Sequence, residues 1–291
     1  MTEKQPASVQ PSAVTLQSIA QDILTLLDRK ALLELRAKID SLLGLSVELS
    51  VTKTMPRPSE SAIAEFPEPE HLVWLQKGVV SWNDWREQHR EIVPDLQGAN
   101  LSGFNLAFVN FAGVNLEYAN LSGADMRGAF LKEANMKGAN LYMADLIGVN
   151  CQQACLEAAN LQGADIYKAN FSHANLQEAN LIQASIRRAT LVGANLHRAK
   201  LKQADLLQAN LVQTNLSQAD LQKANMEGTN LIEANLEEAN LLGANLNRAN
   251  LCRARLYKAN ILHAKINGVT LKGAMMPDGT LHGGGAVNGE Q

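Results

Sequence analysis

The chain contains little cysteine, few aromatic residues and no long apolar run. Three cysteines in 291 residues are too few for a disulfide-stabilised scaffold and favour a reducing compartment. No apolar stretch approaches the roughly 18 residues that a membrane-spanning helix needs. The first residues, Met-Thr-Glu-Lys-Gln-Pro, lack the basic start and the apolar core of a signal peptide. These absences predict a cytoplasmic protein without a membrane span.

Sequence signals for catalysis and for metal or cofactor binding are also missing. The chain has no HExxH, no GxSxG, no phosphate-binding loop and no CxxC pair. Its six histidines are scattered, and the two closest cysteines, Cys151 and Cys155, have no histidine pair nearby. We therefore expect a protein that is not an enzyme and that has no cofactor and no metal site.

What the chain does contain is a five-residue repeat that runs from Leu96 to Leu271 without a change of register. All 36 central positions are apolar, and 26 of them are leucine. The residue two places before the centre is alanine in 28 units, and the residue directly before it is Asn or Asp in 28 units. The last two positions often end in glycine. A register held over this length indicates a repeat protein.

A period of five fits neither a continuous helix nor a continuous strand. A helix needs apolar residues at spacings of three and four, and a strand alternates with period two. A chain that turns a corner once per unit can bury Ala and Leu on one face of a short extended segment, while Asn points away. Glycine suits the corner because it adopts backbone angles that other residues avoid. The pattern therefore predicts an all-β solenoid filled with stacked Leu and Ala.

The unit Ala-(Asn/Asp)-Leu-x-x resembles the repeat of the pentapeptide-repeat proteins. The resemblance covers residues 96–275, about 60 % of the chain. It implies a right-handed quadrilateral β-helix with four units per coil, hence about nine coils, preceded by an N-terminal α-helical region. The helical lead-in also makes the chain similar to the cyanobacterial members of this family. Stability in such a fold comes from each coil packing on its neighbours.

We divide the chain into five parts. Residues 1–49 are predicted to form a tail with an amphipathic helix or helical hairpin, and residues 50–69 a linker rich in Pro and Glu. A helical cap is expected over 70–95, followed by the β-helix with its C-terminal closure over 96–282. The closure would use a Pro-Asp-Gly turn after Met276. Residues 283–291 are expected to be a disordered tail.

The predicted N-terminal helix carries an apolar face at helical spacing. Its members are Ile19, Ile23, Leu26, Leu33, Ile39 and Leu42. Three ways of covering this face remain open: self-association, packing on the side of the β-helix, and binding to another protein. A homodimer through this helix or through an end of the β-helix is the form of self-association that we expect.

All three tryptophans, Trp74, Trp82 and Trp85, lie just before the first unit. The string from Gly78 to Arg86, Gly-Val-Val-Ser-Trp-Asn-Asp-Trp-Arg, resembles the cap that leads into the first coil of many family members. An aromatic cluster can serve as a ligand platform or as a hydrophobic plug. We predict that the tryptophans form a structural cap on the first coil.

With 20 residues per coil, the corner residues can be sorted into columns. One column contains Val192, Val212, Ile232 and Cys252, which give four successive coils an apolar outward side chain. Exposed apolar stripes usually mark a contact. We predict that this stripe docks either the N-terminal helix or a partner protein. The chain would then be a non-catalytic scaffold for protein–protein interaction, with a regulatory role.

The charge of the repeat segment disfavours a second hypothesis, a modulator of DNA gyrase or another topoisomerase. Family members that act on gyrase imitate DNA, which requires an acidic surface. Residues 96–275 instead carry 16 Lys or Arg and 13 Asp or Glu. Nucleic-acid binding is not expected either, because this slight positive charge comes without an aromatic platform.

Overall fold

The structure is a computed structural model that describes residues 71–283 and 286–287. The chain divides into two compact units, Met1–Ala64 and Glu65–Gln291, and all described residues belong to the second. The predicted N-terminal helix and the linker therefore lie outside the described residues, as does most of the predicted tail.

Each repeat unit contributes one short extended segment, and segments 20 residues apart lie side by side. Their Asn/Asp positions form parallel bridges in four ladders, which begin at Asp95, Asn100, Asn105 and Asn110. Four segments and four corners complete one coil. Within the described residues, nine coils stack, and a tenth segment at Met275 extends the first ladder alone. The fold is therefore a four-sided β-helix of nine coils.

Backbone hydrogen bonds connect each coil to the next. In a representative unit, the Leu121 amide donates to the Asn140 carbonyl at 2.7 Å, and the Asn140 amide donates to the Ala119 carbonyl at 2.9 Å. Within the unit, the Ala124 amide donates to the Leu121 carbonyl at 3.1 Å and closes the corner. Because each coil bonds only to its neighbours, the stability of the β-helix accumulates coil by coil.

The interior consists of the central apolar residues and the alanines, which are almost all buried. Thr214 and Thr229 replace alanine and are also buried. Their hydroxyls donate to the carbonyls of Leu191 and Met226, both at 2.8 Å. Each hydroxyl therefore has a hydrogen-bond partner inside an apolar core, as buried polar groups require.

The corners are more uniform in backbone than in sequence. The second corner residue of all 36 units is left-handed, with φ between 54° and 72°, yet only 13 of these residues are glycine. The other 23 are mostly long polar side chains, and none is β-branched. A side chain in this region costs energy. Glycine alone therefore does not explain the corner, and the bonds between coils must hold the remaining residues in this conformation.

Side-chain amides form a second ladder on the outside. The Asn120 Oδ1 accepts from the Ser122 amide at 3.2 Å and from the Asn140 Nδ2, also at 3.2 Å. The Asn160 Nδ2 donates in the same way to Asn140 at 3.0 Å. Asparagine suits this position because one amide both accepts from its own corner and donates to the coil before it.

Helices and a short sheet lie at the ends of the β-helix. Helix α1 spans Leu72–Gln76 and helix α2 spans Val79–Gln88. Strand β1, Val269–Thr270, pairs antiparallel with strand β2, Ala286–Val287. Over residues 71–283 and 286–287, no helix is long and apolar enough to span a bilayer.

Candidate protein-interaction surface

The predicted interaction stripe lies along one corner of four successive coils. Val192, Val212, Ile232 and Cys252, here called the apolar column, each occupy the first corner position and are half-buried. The carbonyls of Val212, Ile232 and Cys252 each accept a backbone bond of 2.9 Å from the coil before. With ~4.8 Å between coils, the column is about 14 Å long. The four residues therefore form one continuous line.

The side of the β-helix next to the apolar column carries no charged residue in its ladder. Its outward positions, here called the uncharged side, are Asn110, Phe130, Asn150, Asn170, Thr190, Asn210, Asn230, Asn250 and Thr270. The side chains of Asn210, Asn230 and Asn250 accept the amides of Val212, Ile232 and Cys252 at 3.4, 3.4 and 3.1 Å. Those amides are thus satisfied within the chain, and what Val212 and Ile232 offer to a partner is their apolar side chains.

The opposite border of the column consists of side chains that already pair with each other. The Gln213 Nε2 donates to the Glu233 carboxylate at 3.0 Å, and Arg253 donates to it at 2.9 Å. These bonds, first from Gln213 and then from Arg253, lower the pKa of the Glu233 carboxyl. The apolar column therefore lies between an uncharged side and a carboxylate whose charge is compensated.

Two exposed aromatic side chains were not expected from the sequence. Phe108 and Tyr118 are 65 % and 60 % exposed, and each lies over the same corner of the following coil. A Cβ added to Gly128 would lie 2.6 Å from the Phe108 ring, and one added to Gly138 would lie 2.5 Å from the Tyr118 ring. The available sequence signal is a bulky corner residue followed 20 residues later by glycine.

The three tryptophans lie on or beside helices α1 and α2 at the first coil. Trp82 is fully buried, donates through its indole nitrogen to the Asn110 carbonyl at 2.8 Å, and meets Phe111 edge-on at 5.4 Å. Trp85 is also buried, and Trp74 is half-buried and stacks on it at 6.2 Å. We propose that this cluster is the cap of the β-helix.

Asn83 supplies the polar part of the same contact. Its side-chain oxygen accepts from the Asn110 amide at 2.8 Å, and its nitrogen donates to the Phe108 carbonyl at 3.1 Å. Arg86 donates to the carbonyls of Ile92 and Ala112 at 2.9 and 2.8 Å, and partial burial lowers its pKa. The two side chains thus bond backbone groups at a coil that has no coil before it, which prevents pairing at this edge.

The remaining predicted site residues lie outside the described residues: Ile19, Ile23, Leu26, Leu33, Ile39 and Leu42. Their role stays a prediction. Among residues 71–283, no group of three or more His, Cys, Asp or Glu is arranged to hold a metal ion. The three cysteines are free, with Cys151 buried and Cys155 and Cys252 half-buried.

Comparison with known proteins gives a family and several similar structures. The family model for pentapeptide repeats matches eight copies within residues 95–273. HetL from the cyanobacterium Nostoc sp. strain PCC 7120 is 32 % identical, over 65 % of this chain and 87 % of HetL, with a TM-score of 0.31. Rfr23 from the cyanobacterium Cyanothece 51142 is 48 % identical over 28 % of this chain and 56 % of Rfr23, with a TM-score of 0.28.

QnrB1, a plasmid-mediated fluoroquinolone resistance protein, is 19 % identical over 62 % of this chain and 91 % of QnrB1, with a TM-score of 0.46. No curated protein sequence matches the chain significantly. The match to the repeat model covers more than half of the chain, and the predicted right-handed quadrilateral β-helix is confirmed. This chain belongs to the pentapeptide-repeat family.

Proposed function

We propose that the chain is a non-catalytic, cytoplasmic scaffold that binds a partner protein along the apolar column. The observation that carries the proposal is the alignment of Val192, Val212, Ile232 and Cys252 in four successive coils beside the uncharged side. An apolar stripe that is not fully buried is a common contact surface. A partner that covers it need not remove an unpaired charge from water, which would cost several kcal/mol.

A regulatory role is the second part of the proposal. HetL, which is 32 % identical to this chain, is described as involved in the regulation of heterocyst differentiation. A non-catalytic protein regulates through what it binds, so an interaction surface is the feature such a role requires. The cytoplasmic location rests on the few cysteines and on the N-terminal sequence.

A gyrase or topoisomerase modulator remains the alternative, and the charges of the chain do not favour it. Residues 96–275 carry more basic than acidic side chains. A DNA mimic needs the reverse. A supercoiling assay with purified gyrase tests this alternative directly. We expect no change in supercoiling, and inhibition or protection of gyrase by the purified chain would favour the alternative.

The test of partner binding places charge in the middle of the apolar column. We expect Val212→Lys with Ile232→Lys to reduce capture of the column-binding partner at least tenfold, because a lysine buried without a counter-ion costs more than the ~1.4 kcal/mol that a tenfold change represents. The matched control is Gln152→Lys with Ser172→Lys, two half-buried positions of the same column in earlier coils.

Partners are identified by mass spectrometry, and affinity is then measured with the purified partner. Circular dichroism checks that both double variants keep the β-sheet signal. The control should bind within a factor of two of the unmodified chain. Equal capture of the same partners by the Val212→Lys, Ile232→Lys variant would contradict the proposal.

A further inference from the structure

The β-helix ends in an open strand edge on two of its four sides. Asn260 and Lys265 are the last residues of their ladders and bridge only to the coil before them. No described residue pairs with the Ile261 amide or the Ala259 carbonyl. The equivalent groups one coil earlier make bonds of 2.8 and 2.9 Å. We call residues 259–266 the open edge; Met275 extends the first side, and strand β2 covers the fourth.

Interior side chains reach solvent at the open edge. Ile261 and Ile266 are half-buried, whereas Leu241 and Leu246, their equivalents one coil earlier, are 0 % and 1 % exposed. Leu262 beside them is 59 % exposed. A sheet edge with unpaired backbone groups is a template for an added strand. The open edge therefore fits an extended segment that brings its own apolar side chains.

Positive charge surrounds the open edge. Residues 248–282 contain six Lys or Arg and one Asp. The three arginines pair with glutamates of earlier coils. Lys258, Lys265 and Lys272 are exposed, with no ion-pair partner among the described residues. Complementarity of charge therefore favours an acidic segment as the occupant.

Residues 58–70 of the chain itself have this chemistry. They read Pro-Ser-Glu-Ser-Ala-Ile-Ala-Glu-Phe-Pro-Glu-Pro-Glu, with four glutamates and no basic residue. Within them, residues 64–68, Ala-Glu-Phe-Pro-Glu, match one repeat unit, with a small and a large apolar residue two places apart. Proline is common at the first corner position of a turn with a left-handed second residue. Glutamate occupies that second position at four corners of the β-helix.

This segment is too close to the first coil to reach the open edge of its own chain. The His71 ring accepts from the Asp95 amide at 3.3 Å, which places His71 at the first coil. Phe66 lies five residues earlier, and five extended residues span at most about 18 Å. Asn260 lies eight coils beyond Asn100, about 38 Å at ~4.8 Å per coil. The occupant must therefore come from a second copy.

We propose that residues 64–68 of one copy add to the open edge of another as a parallel strand. The Ile261 amide then donates to the Glu65 carbonyl, and the Glu65 amide donates to the Ala259 carbonyl, as between earlier coils. Phe66 stacks on Ile261 as one central residue stacks on the next. Because the segment and the open edge lie at opposite ends of the β-helix, association continues head to tail and does not stop at a dimer.

The proposal is tested on the full chain by sedimentation velocity. We expect the average mass to rise between about 1 and about 100 µM, the range in which a short added strand with charge complementarity associates. Added salt should reduce the association, because it screens exposed charges beyond ~3 Å at 1 M. A chain that stays monomeric at the highest concentration overturns the proposal.

Charge reversal identifies the contact. We expect Lys258→Glu with Lys265→Glu, and separately Glu65→Lys with Glu68→Lys, to weaken association at least tenfold. A mixture of the two variants should associate again, because each contact then joins opposite charges. The matched control, Lys132→Glu with Lys168→Glu, changes two lysines of early coils and should sediment like the unmodified chain.

A peptide with the sequence of residues 58–70 provides an independent measurement. Labelled at its N-terminus, it should bind the full chain in fluorescence anisotropy, and a scrambled peptide of the same composition should bind at least tenfold more weakly. Unchanged association of the Glu65→Lys, Glu68→Lys chain would refute the proposal and indicate that the open edge pairs with a copy of itself. This variant leaves the β-helix intact, so its result does not depend on folding.

Discussion

Replacing Gly138 by alanine measures how much a corner depends on the side chain that lies over it. Gly138 has a φ of 64°, and a Cβ there would lie 2.5 Å from the Tyr118 ring. Gly123 has the same φ of 64° and nothing within 4 Å of its Cβ position. Gly123→Ala is therefore a matched control that adds the same methyl group in the same backbone conformation without the contact.

The expected magnitudes follow from two separate costs. A residue with a Cβ in the left-handed region costs roughly 1–2 kcal/mol, and the loss of glycine's freedom in the unfolded chain returns roughly 0.4–1 kcal/mol. We therefore expect Gly123→Ala to lower the free energy of unfolding by about 1 kcal/mol. In Gly138→Ala, Tyr118 must also move off the corner, and losing part of its apolar contact adds about 1 kcal/mol.

The assay is urea unfolding followed by far-UV circular dichroism. Free energies are compared only where the transitions share one slope, because repeat arrays can unfold in more than one step. In a Tyr118→Ala background, Gly138→Ala should cost only about 1 kcal/mol, like Gly123→Ala. Equal effects of the two glycine substitutions in the unmodified chain would refute the reasoning.

Two further predictions concern buried side chains. Trp82→Ala should lower the free energy of unfolding by about 3–5 kcal/mol, because it empties a fully buried site and leaves a carbonyl without its donor, whereas Val80→Ala, at a residue 74 % exposed, should cost less than about 0.5 kcal/mol in the same urea assay. Burial raises the pKa of the Cys151 thiol, so a thiol reagent should modify Cys151 only after unfolding but the half-buried Cys155 in the folded chain; equal native rates by mass spectrometry would contradict this.

The repeat predicts the coil because burial is decided by a pattern that the whole segment shares. Once the unit has one small and one large apolar residue two places apart, only a chain that turns every five residues can bury both. The same count aligns Val192, Val212, Ile232 and Cys252. Whether these residues bind a partner does not follow from the count, because binding depends on a second molecule.

Features at the corners and ends were harder to predict because they depend on neighbouring coils. Gln153 and Arg188 are left-handed although local preference disfavours it, since the bonds between coils outweigh that preference. The replacement of backbone by the Asn83 side chain has no local signal, because its partners lie more than 20 residues away. The Pro-Asp-Gly turn after Met276 indicates an ending, but which sides stay open depends on where in the coil the chain departs.

The four-fold arrangement of units has a consequence for insertions and deletions. Loss or gain of one unit keeps every interior position interior, so the core tolerates it, but it moves all later outward residues to the adjacent side. Removing one unit between Val212 and Ile232 would therefore split the apolar column into two halves a quarter turn apart. Only changes in multiples of four units keep the sides aligned. In this protein the outer surface is encoded by counting modulo four, and it can be rearranged without any change in what is buried.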